Sequence, residues 1–329
     1  MTDYVYATAC IRSKEDKLLK EEQFNQLIEM RNIDDIFKVL QDAGYGGTGE
    51  HIGISNYEQK LNERSRSLIE YIRELSDDDI FDVFSFPSDY HNIKVILKGE
   101  ALGLKRPDIL LSTGTIPKRD MVRYVNERDE IRLTHYMLSA VTEAIDNHAR
   151  TNDPQVIDFI CDKYCYMEIS EAVKKSNNEF IKGYVALLID TLNFKTCIRA
   201  RKMGKEWPFF SDLYIEGGNI DEQIFLESFE KDLGQIDEIF EPYEIHEAVN
   251  FGLEELENSG NFTTLEKLCD DILIMYIREA GFKTFGIEAL FAYMVSAQME
   301  IKSVRILITG KLSGMDPALI KERMRATYE

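Results

Sequence analysis

Two glycine-containing segments are the first places where the chain could do chemistry, because glycine lets backbone N–H groups approach a phosphate closely. Residues 44–49 read Gly-Tyr-Gly-Gly-Thr-Gly, but no strand precedes them and no lysine follows where a phosphate-binding loop needs one. Thr309–Leu312 departs from the same motif twice, because Leu312 stands where Ser or Thr is needed and Arg305 where glycine is needed. The first segment indicates a loop after a helix, and no nucleotide or other cofactor is expected.

Metal and nucleophile patterns are also incomplete. His246 begins a His-Glu-Ala-Val-Asn segment, and a zinc-protease helix would need a second histidine where Asn250 stands. Cys161 and Cys165 lie one helical turn apart, but two thiols do not complete a tetrahedral site, so they indicate an apolar helix face. The other histidines are scattered, and no Ser–His–Asp pattern stands out. The sequence therefore predicts no catalytic residue and no bound metal.

The balance of charge argues against two classes of partner. The chain has 329 residues, with 39 Lys and Arg against 59 Asp and Glu, and a formal net charge of −20. Such a surface repels phosphate backbones and anionic lipid head groups, so neither nucleic acid nor direct lipid insertion is expected. The five cysteines form no Cys-x-x-Cys pair, and no apolar stretch has the form of a signal peptide or membrane span. These features predict a cytoplasmic protein with free thiols.

One basic cluster stands out against the acidic background. It follows Lys195 on the same predicted helix and consists of Arg199, Arg201, Lys202 and Lys205. A solvated helix end is one interpretation, and a docking patch for an acidic protein partner is the other. The sequence leaves both open.

The elements that would position these residues are helices. Most long segments repeat apolar residues with helical period, and one such stripe consists of Tyr57, Leu61, Leu68, Ile72 and Leu75. Ser76, Asp153 and Asp316 are typical helix-start residues, whereas Gly103 and Gly281 are typical stop residues. Alternating β-branched runs are essentially missing, so the predicted fold class is all-α.

A weak internal repeat organises the chain. An Asp-x-x-Asn-x-Lys pattern occurs twice, and a third copy has Ala and Glu at its first two positions. The three copies are Asp89, Asn92 and Lys94; Asp190, Asn193 and Lys195; and Ala297, Glu300 and Lys302. Each copy precedes a glycine turn and a further helix, which predicts three related helical bundles at about residues 1–125, 126–230 and 231–329. Because Asp and Asn side chains can bond backbone groups near helix breaks, we expect them to hold neighbouring helices in register.

At these repeats the chain resembles the C subunit of V-type and A-type rotary ATPases, whose eukaryotic counterpart is the d subunit. The likeness extends over essentially the whole chain and is strongest in the final segment, with Glu300, Lys302, Arg305, Gly310, Lys311, Pro317, Ile320 and Arg323. The order and spacing of the three copies carry the resemblance, and Ala297 and Glu300 depart from the Asp and Asn of the first two copies.

The resemblance implies a non-catalytic rotor subunit built as a pseudo-threefold funnel of three bundles. Such a subunit would lie at the cytosolic face of the membrane through its complex, between the central shaft and the membrane rotor ring. It would transmit torque for H⁺ or Na⁺ transport or for ATP synthesis. A helical-repeat scaffold for other protein partners is the alternative, and more than three interchangeable repeats would favour it.

Overall fold

The computed structural model describes residues 4–46, 51–282 and 285–328, and only the backbone at 282. Residues 47–49 of the glycine-rich loop lie outside this range. The α-helices are α1 (Tyr4–Glu15), α2 (Glu21–Glu29), α3 (Ile33–Asp42), α4 (Tyr57–Leu75), α5 (Phe86–Leu102), α6 (Lys118–Glu127), α7 (His135–Thr151), α8 (Gln155–Lys174), α9 (Glu179–Lys202), α10 (Trp207–Ser211), α11 (Glu222–Glu230), α12 (Asp237–Phe240), α13 (His246–Ser259), α14 (Thr263–Arg278), α15 (Ile287–Leu312) and α16 (Pro317–Arg323). Short 3₁₀ helices lie at Asp79–Phe84, Pro107–Ile109, Leu233–Gln235 and Glu279–Phe282. The described ranges contain no strand, so the all-α prediction is confirmed.

The chain divides into two compact units. One combines Met1–Asp78 with Lys231–Glu329, and the other is Asp79–Glu230. The predicted division into three bundles and their funnel arrangement stay predictions.

The first unit is built around α15. This helix is apolar on nearly all sides, which is typical of a helix buried on several faces, and it packs against α1, α4 and α14. A Cβ at Gly310 would lie 2.8 Å from Cγ1 of Ile320, so the glycine lets α16 approach α15 closely. No helix in the described ranges is both long and apolar enough to cross a membrane.

The second unit contains the first two copies of the repeat. Helix α8 packs against α7, α5 and α9, while α5 pairs with α6 and α9 contacts α10 and α11. Each copy is therefore a long helix, a connecting segment and a shorter helix. The polar side chains at the start of each copy face these connecting segments.

Four helix-boundary predictions have clear outcomes. Oδ1 of Asp316 accepts from Ala318 N at the start of α16, and Gly103 ends α5 with a φ of 65°. Ser76 follows the last residue of α4 instead of beginning an α-helix, and a 3₁₀ turn begins at Asp79. Gly281 lies within a 3₁₀ turn after α14, so it does not end that helix.

Candidate functional site

The first repeat signature fixes the segment that joins α5 to α6. Asp89 is fully buried on α5, and its Oδ2 accepts hydrogen bonds from Thr115 N at 2.9 Å and Thr115 Oγ1 at 2.7 Å. Its Oδ1 accepts from Ile116 N at 3.2 Å. The carboxylate thus binds consecutive backbone N–H groups of the turn that precedes α6.

Asn92 holds the same connecting segment four residues earlier. Its Oδ1 accepts from Leu111 N at 2.8 Å, and its Nδ2 donates to Leu111 O at 2.9 Å. The side-chain amide therefore satisfies both backbone groups of one residue, as a neighbouring strand would do. We call Asp89 and Asn92, with the segment they bind, the first Asp–Asn clamp.

The second copy repeats this geometry at every bond. Asp190 accepts from Asn219 N and Ile220 N, each at 3.0 Å, and also from Asn219 Nδ2 at 3.0 Å. Asn193 accepts from Ile215 N at 3.0 Å and donates to Ile215 O at 2.8 Å. These residues form the second Asp–Asn clamp. The side chains of both signatures bond backbone groups, and their structural role stays a prediction.

The turn that each clamp binds requires a glycine next to the carboxylate. A Cβ at Gly114 would lie 2.1 Å from Asp89 Oδ1, and one at Gly218 would lie 2.2 Å from Asp190 Oδ1. Any side chain at these positions would push the carboxylate away from the turn. Close approach of backbone to carboxylate therefore explains both glycines.

Burial sets the ionisation of the first clamp. It raises the pKa of Asp89 to about 6, although the hydrogen bonds from Thr115 and Ile116 act in the opposite direction. The turn thus supplies hydrogen-bond donors to a carboxylate that burial shields from water.

The third copy has a different structure. Ala297 has no carboxylate, and Glu300 is buried beside the N-terminal segment instead of the turn before α16. Its Oε1 accepts from the Tyr45 hydroxyl at 2.7 Å, and its Oε2 accepts from Leu19 N. Burial raises the pKa of Glu300. The third signature therefore ties α15 to the start of the chain.

The basic positions of the signatures make ion pairs in two copies. Lys94 binds Asp162 on α8 at 2.8 Å, and Lys302 binds Asp270 on α14 at 2.5 Å. Lys195 makes no ion pair with any residue in the described ranges. Farther along α15, Arg305 binds Glu58 at 3.1 Å.

The basic cluster at the end of α9 separates into two groups. Arg201 is half-buried, donates to Ser228 O at 2.6 Å and lies over the Phe229 ring, so this side chain stabilises the packing of α11. Arg199, Lys202 and Lys205 are exposed, and Lys205 lies over the Phe209 ring. Docking through the exposed side chains stays a prediction.

Sequence reasoning missed a buried ion pair. Arg325 Nε donates to Asp270 Oδ2 at 2.7 Å, and the two side chains are only 6% and 7% exposed. Asp271 accepts from Ala326 N at 2.6 Å, and Arg278 donates to Thr327 O at 2.5 Å. These bonds hold residues 324–328, which we call the C-terminal strap, against α14. Adjacent Asp residues on one helix were the available signal, but they gave no indication of their partners.

An open groove of about 870 Å³ lies along α7 in the second unit. Apolar residues of α8 and α10, including Phe159 and Phe209, line it together with the charged side chains Glu143, Asp146, Arg150 and Asp212. Tyr164 donates to Glu143 at 2.7 Å, which fixes one of these carboxylates. The groove therefore combines apolar residues with an excess of acidic over basic side chains, and amphipathic helices lay their apolar faces into such hydrophobic grooves.

The described residues contain no group of His, Cys, Asp and Glu that could hold a metal ion. Burial raises the pKa of Cys197 to about 12 and that of Cys161 well above its ordinary value. These thiols are therefore poor nucleophiles at neutral pH. The polar groups described above bind the protein's own backbone and side chains, which fits a structural role.

The chain is similar to known proteins over nearly its whole length. The family model described as ATP synthase (C/AC39) subunit matches residues 7–323. The C subunit of the V-type sodium ATPase of Enterococcus hirae is 21% identical over 328 residues, which cover 99% of each chain. The C subunit of the A-type ATP synthase of Methanocaldococcus jannaschii is 23% identical, with 98% of this chain and 86% of the relative covered. The C subunit of the V-type ATP synthase of Thermus thermophilus is 20% identical, with 98% of each covered.

Proposed function

Because the chain belongs to the ATP synthase (C/AC39) subunit family, we propose that it connects the central shaft of a rotary ATPase to the membrane rotor ring. In this role it transmits torque, performs no chemical step itself and is held at the cytosolic face of the membrane by its complex. The observation that carries the proposal is the match over residues 7–323, which takes in all three copies of the repeat.

The two Asp–Asn clamps support a mechanical role. A torque adaptor must be stiff, since a compliant connection stores rotation as deformation. Close-packed helices resist deformation, and each clamp adds a buried network that holds a connecting segment on its helix. The helix pairs α5–α6 and α9–α11 can therefore each move as one body.

The surfaces suit protein partners. The acidic groove along α7 fits an apolar helix with basic residues, whereas Lys202 and Lys205 offer positive charge to an acidic surface. A chain with a net charge of −20 is repelled by anionic lipid, so contacts with membrane proteins account for its attachment better than contacts with lipid do. The groove along α7 and the basic end of α9 would then form two different interfaces within the complex.

Co-purification tests the proposal. The tagged chain is mixed first with the central-shaft subunits of the same organism and then with detergent-solubilised rotor ring. We expect a stable complex with both, and ATP hydrolysis coupled to ion transport only when the chain is present. Each partner incubated with the affinity resin alone is the control. A well-folded chain that binds neither partner would contradict the proposal and favour the helical-repeat scaffold.

A further inference from the structure

An apolar pocket of about 330 Å³ opens between α5 and α6 in the second unit. Its walls include Ile96 of α5, Leu104 and Leu110 of the connecting segment, and Val122 of α6. Ligand pockets span roughly 300–1,000 Å³, so this one is small and fits one or two large side chains. We call it the α5–α6 pocket.

Large apolar side chains are exposed around this pocket. Leu102 is 66% exposed, Leu104 58% and Ile109 41%, all within eight positions of the chain. Single exposed apolar residues are ordinary on protein surfaces, but a cluster beside a concave site is typical of an interaction surface.

The loop that presents these side chains is fixed in place. Gly103 adopts a φ of 65°, and Leu104 N donates to Gly99 O at 2.8 Å. A Cβ at Gly99 would lie 2.5 Å from Leu104 O, so the loop lies directly on α5. A partner therefore meets a preformed surface and loses little affinity in ordering it.

The second copy of the repeat has aromatic side chains in its corresponding connecting segment. Its Asn and the residue that it binds are 22 positions apart, against 19 in the first copy. The longer segment contains α10, where Trp207 lies 5.5 Å from the Phe229 ring and Phe210 lies 5.3 Å from the Phe225 ring. The first copy has only the turn Pro107–Ile109 there and no aromatic residue between α5 and α6. Aromatic side chains that the second copy supplies itself are thus missing from the first.

Basic residues outnumber acidic ones around the pocket in an otherwise acidic chain, and the one carboxylate that lines it, Glu100, pairs with Arg128 at 3.1 Å. Residues 98–123 include six basic and three acidic side chains. Lys105 lines the pocket, and Lys118 lies one turn before Val122 on the same face of α6. Neither lysine makes an ion pair with any residue that the structure describes.

We propose that the α5–α6 pocket binds a protein segment that presents a large apolar or aromatic side chain flanked by Asp or Glu. The proposal rests on the proposed function, since it places that segment on another protein of the rotary ATPase. The pocket is concave and holds about 330 Å³, so it suits single projecting side chains of a protein segment better than the flat surface of an anionic bilayer.

Site-specific photo-cross-linking in the assembled complex tests this. A benzophenone amino acid replaces Leu102, which is exposed and does not line the pocket. After irradiation we expect a cross-link to one partner protein, in a peptide with a large apolar residue and neighbouring acidic residues. The double variant Leu104→Ser/Lys105→Glu should lower the yield at least about fivefold. Lys174→Glu makes the same charge change as Lys105→Glu at an exposed position at the end of α8 and should leave the yield unchanged.

Each other outcome overturns the proposal. If the labelled chain co-purifies with the ATPase but links to no protein, or links only to phospholipid, the pocket does not bind such a segment while the proposed function stands. A cross-linked peptide rich in Lys or Arg would also show that the pocket does not bind an acidic segment, and the proposed function would stand. An unchanged yield in a double variant whose circular dichroism spectrum and melting are normal would also overturn it. If the chain does not co-purify with the ATPase at all, both proposals fall together.

Discussion

At the scale of single residues, an amide and a carboxylate side chain on one helix pair with backbone groups of the segment that follows it. Asn92 pairs with both backbone groups of Leu111, and Asp89 binds the turn that follows. Buried backbone groups without partners cost free energy, so these two side chains select one path for a segment that has little secondary structure of its own. The repetition of each bond in the second copy supports this explanation.

Asn92→Leu and Asn193→Leu should each lower the free energy of unfolding by about 1–3 kcal/mol, because leucine leaves a buried N–H and C=O unpaired. Urea unfolding followed by circular dichroism measures the change. Asn250→Leu is the matched control, because Asn250 is exposed on α13. If the clamp variants unfolded like the wild type but failed to bind the shaft, these residues would be interface residues instead.

Asp89 should make stability depend on pH. Its pKa is raised from 3.8 to about 6 in the folded protein by burial, so its contribution is fully present below pH about 4 and is lost as the pH rises through 6. The stability advantage of the wild type over Asp89→Asn should therefore shrink by about 1–3 kcal/mol between pH 4 and 7.5.

Urea titrations of both proteins across this pH range measure the difference between their free energies of unfolding. The contributions of the other titrating groups cancel in that difference. Asp146→Asn, at an exposed position on α7, controls for the loss of one charge. An advantage that grew with pH would show that the hydrogen bonds from Thr115 and Ile116 outweigh burial and lower the pKa.

At the scale of elements, the three long repeat helices share a pattern but differ in what they hold. Helices α5 and α9 each hold the segment that leads to the next helix, whereas α15 holds the N-terminal segment through Glu300. The first unit compensates with the C-terminal strap, which Asp270 and its neighbour fix against α14. Different bonds thus secure the ends of helices with a common sequence pattern.

Arg325→Ala should destabilise the first unit more than Lys302→Ala does. Both side chains bind Asp270, but Arg325 is 6% exposed and Lys302 is 44% exposed. Removing the buried partner leaves a buried carboxylate underpaired, which costs about 2–4 kcal/mol, whereas the exposed lysine contributes about 1 kcal/mol or less.

Denaturant unfolding of both variants measures these values. In a double-mutant cycle, Asp270→Asn should reduce the effect of Arg325→Ala, because the underpaired charge is then absent. Additive effects of the two substitutions would contradict a direct pair.

At the scale of the whole molecule, we expect the acidic charge to limit which partners the chain can bind. A net charge of −20 suppresses non-specific contacts with anionic surfaces, so a local cluster of exposed basic side chains can act as a site of specific attraction. Since Arg201 stabilises the packing of α11, a test of docking should use its exposed neighbours.

Lys202→Glu/Lys205→Glu should weaken assembly with an acidic partner protein by about three- to tenfold, and more strongly at low salt, because surface charges are screened as ionic strength rises. Binding titrations at two salt concentrations measure this effect. Lys17→Glu/Lys174→Glu changes the net charge equally at two other exposed positions and should have little effect. Equal affinities of the double variant and the wild type at both salt concentrations would exclude docking through this helix end.

The sequence by itself determined the fold class, the spaced copies and the absence of a recognisable catalytic motif, because helical period and residue spacing are local properties. It also predicted that Asp89, Asn92, Asp190 and Asn193 bond backbone groups. It did not determine which backbone groups they bind, that Glu300 binds Tyr45, that Arg201 contacts Phe229, or that Asp270 pairs with Arg325. Those contacts join residues far apart in the chain, and only the packing of helices decides which distant groups come within hydrogen-bonding distance.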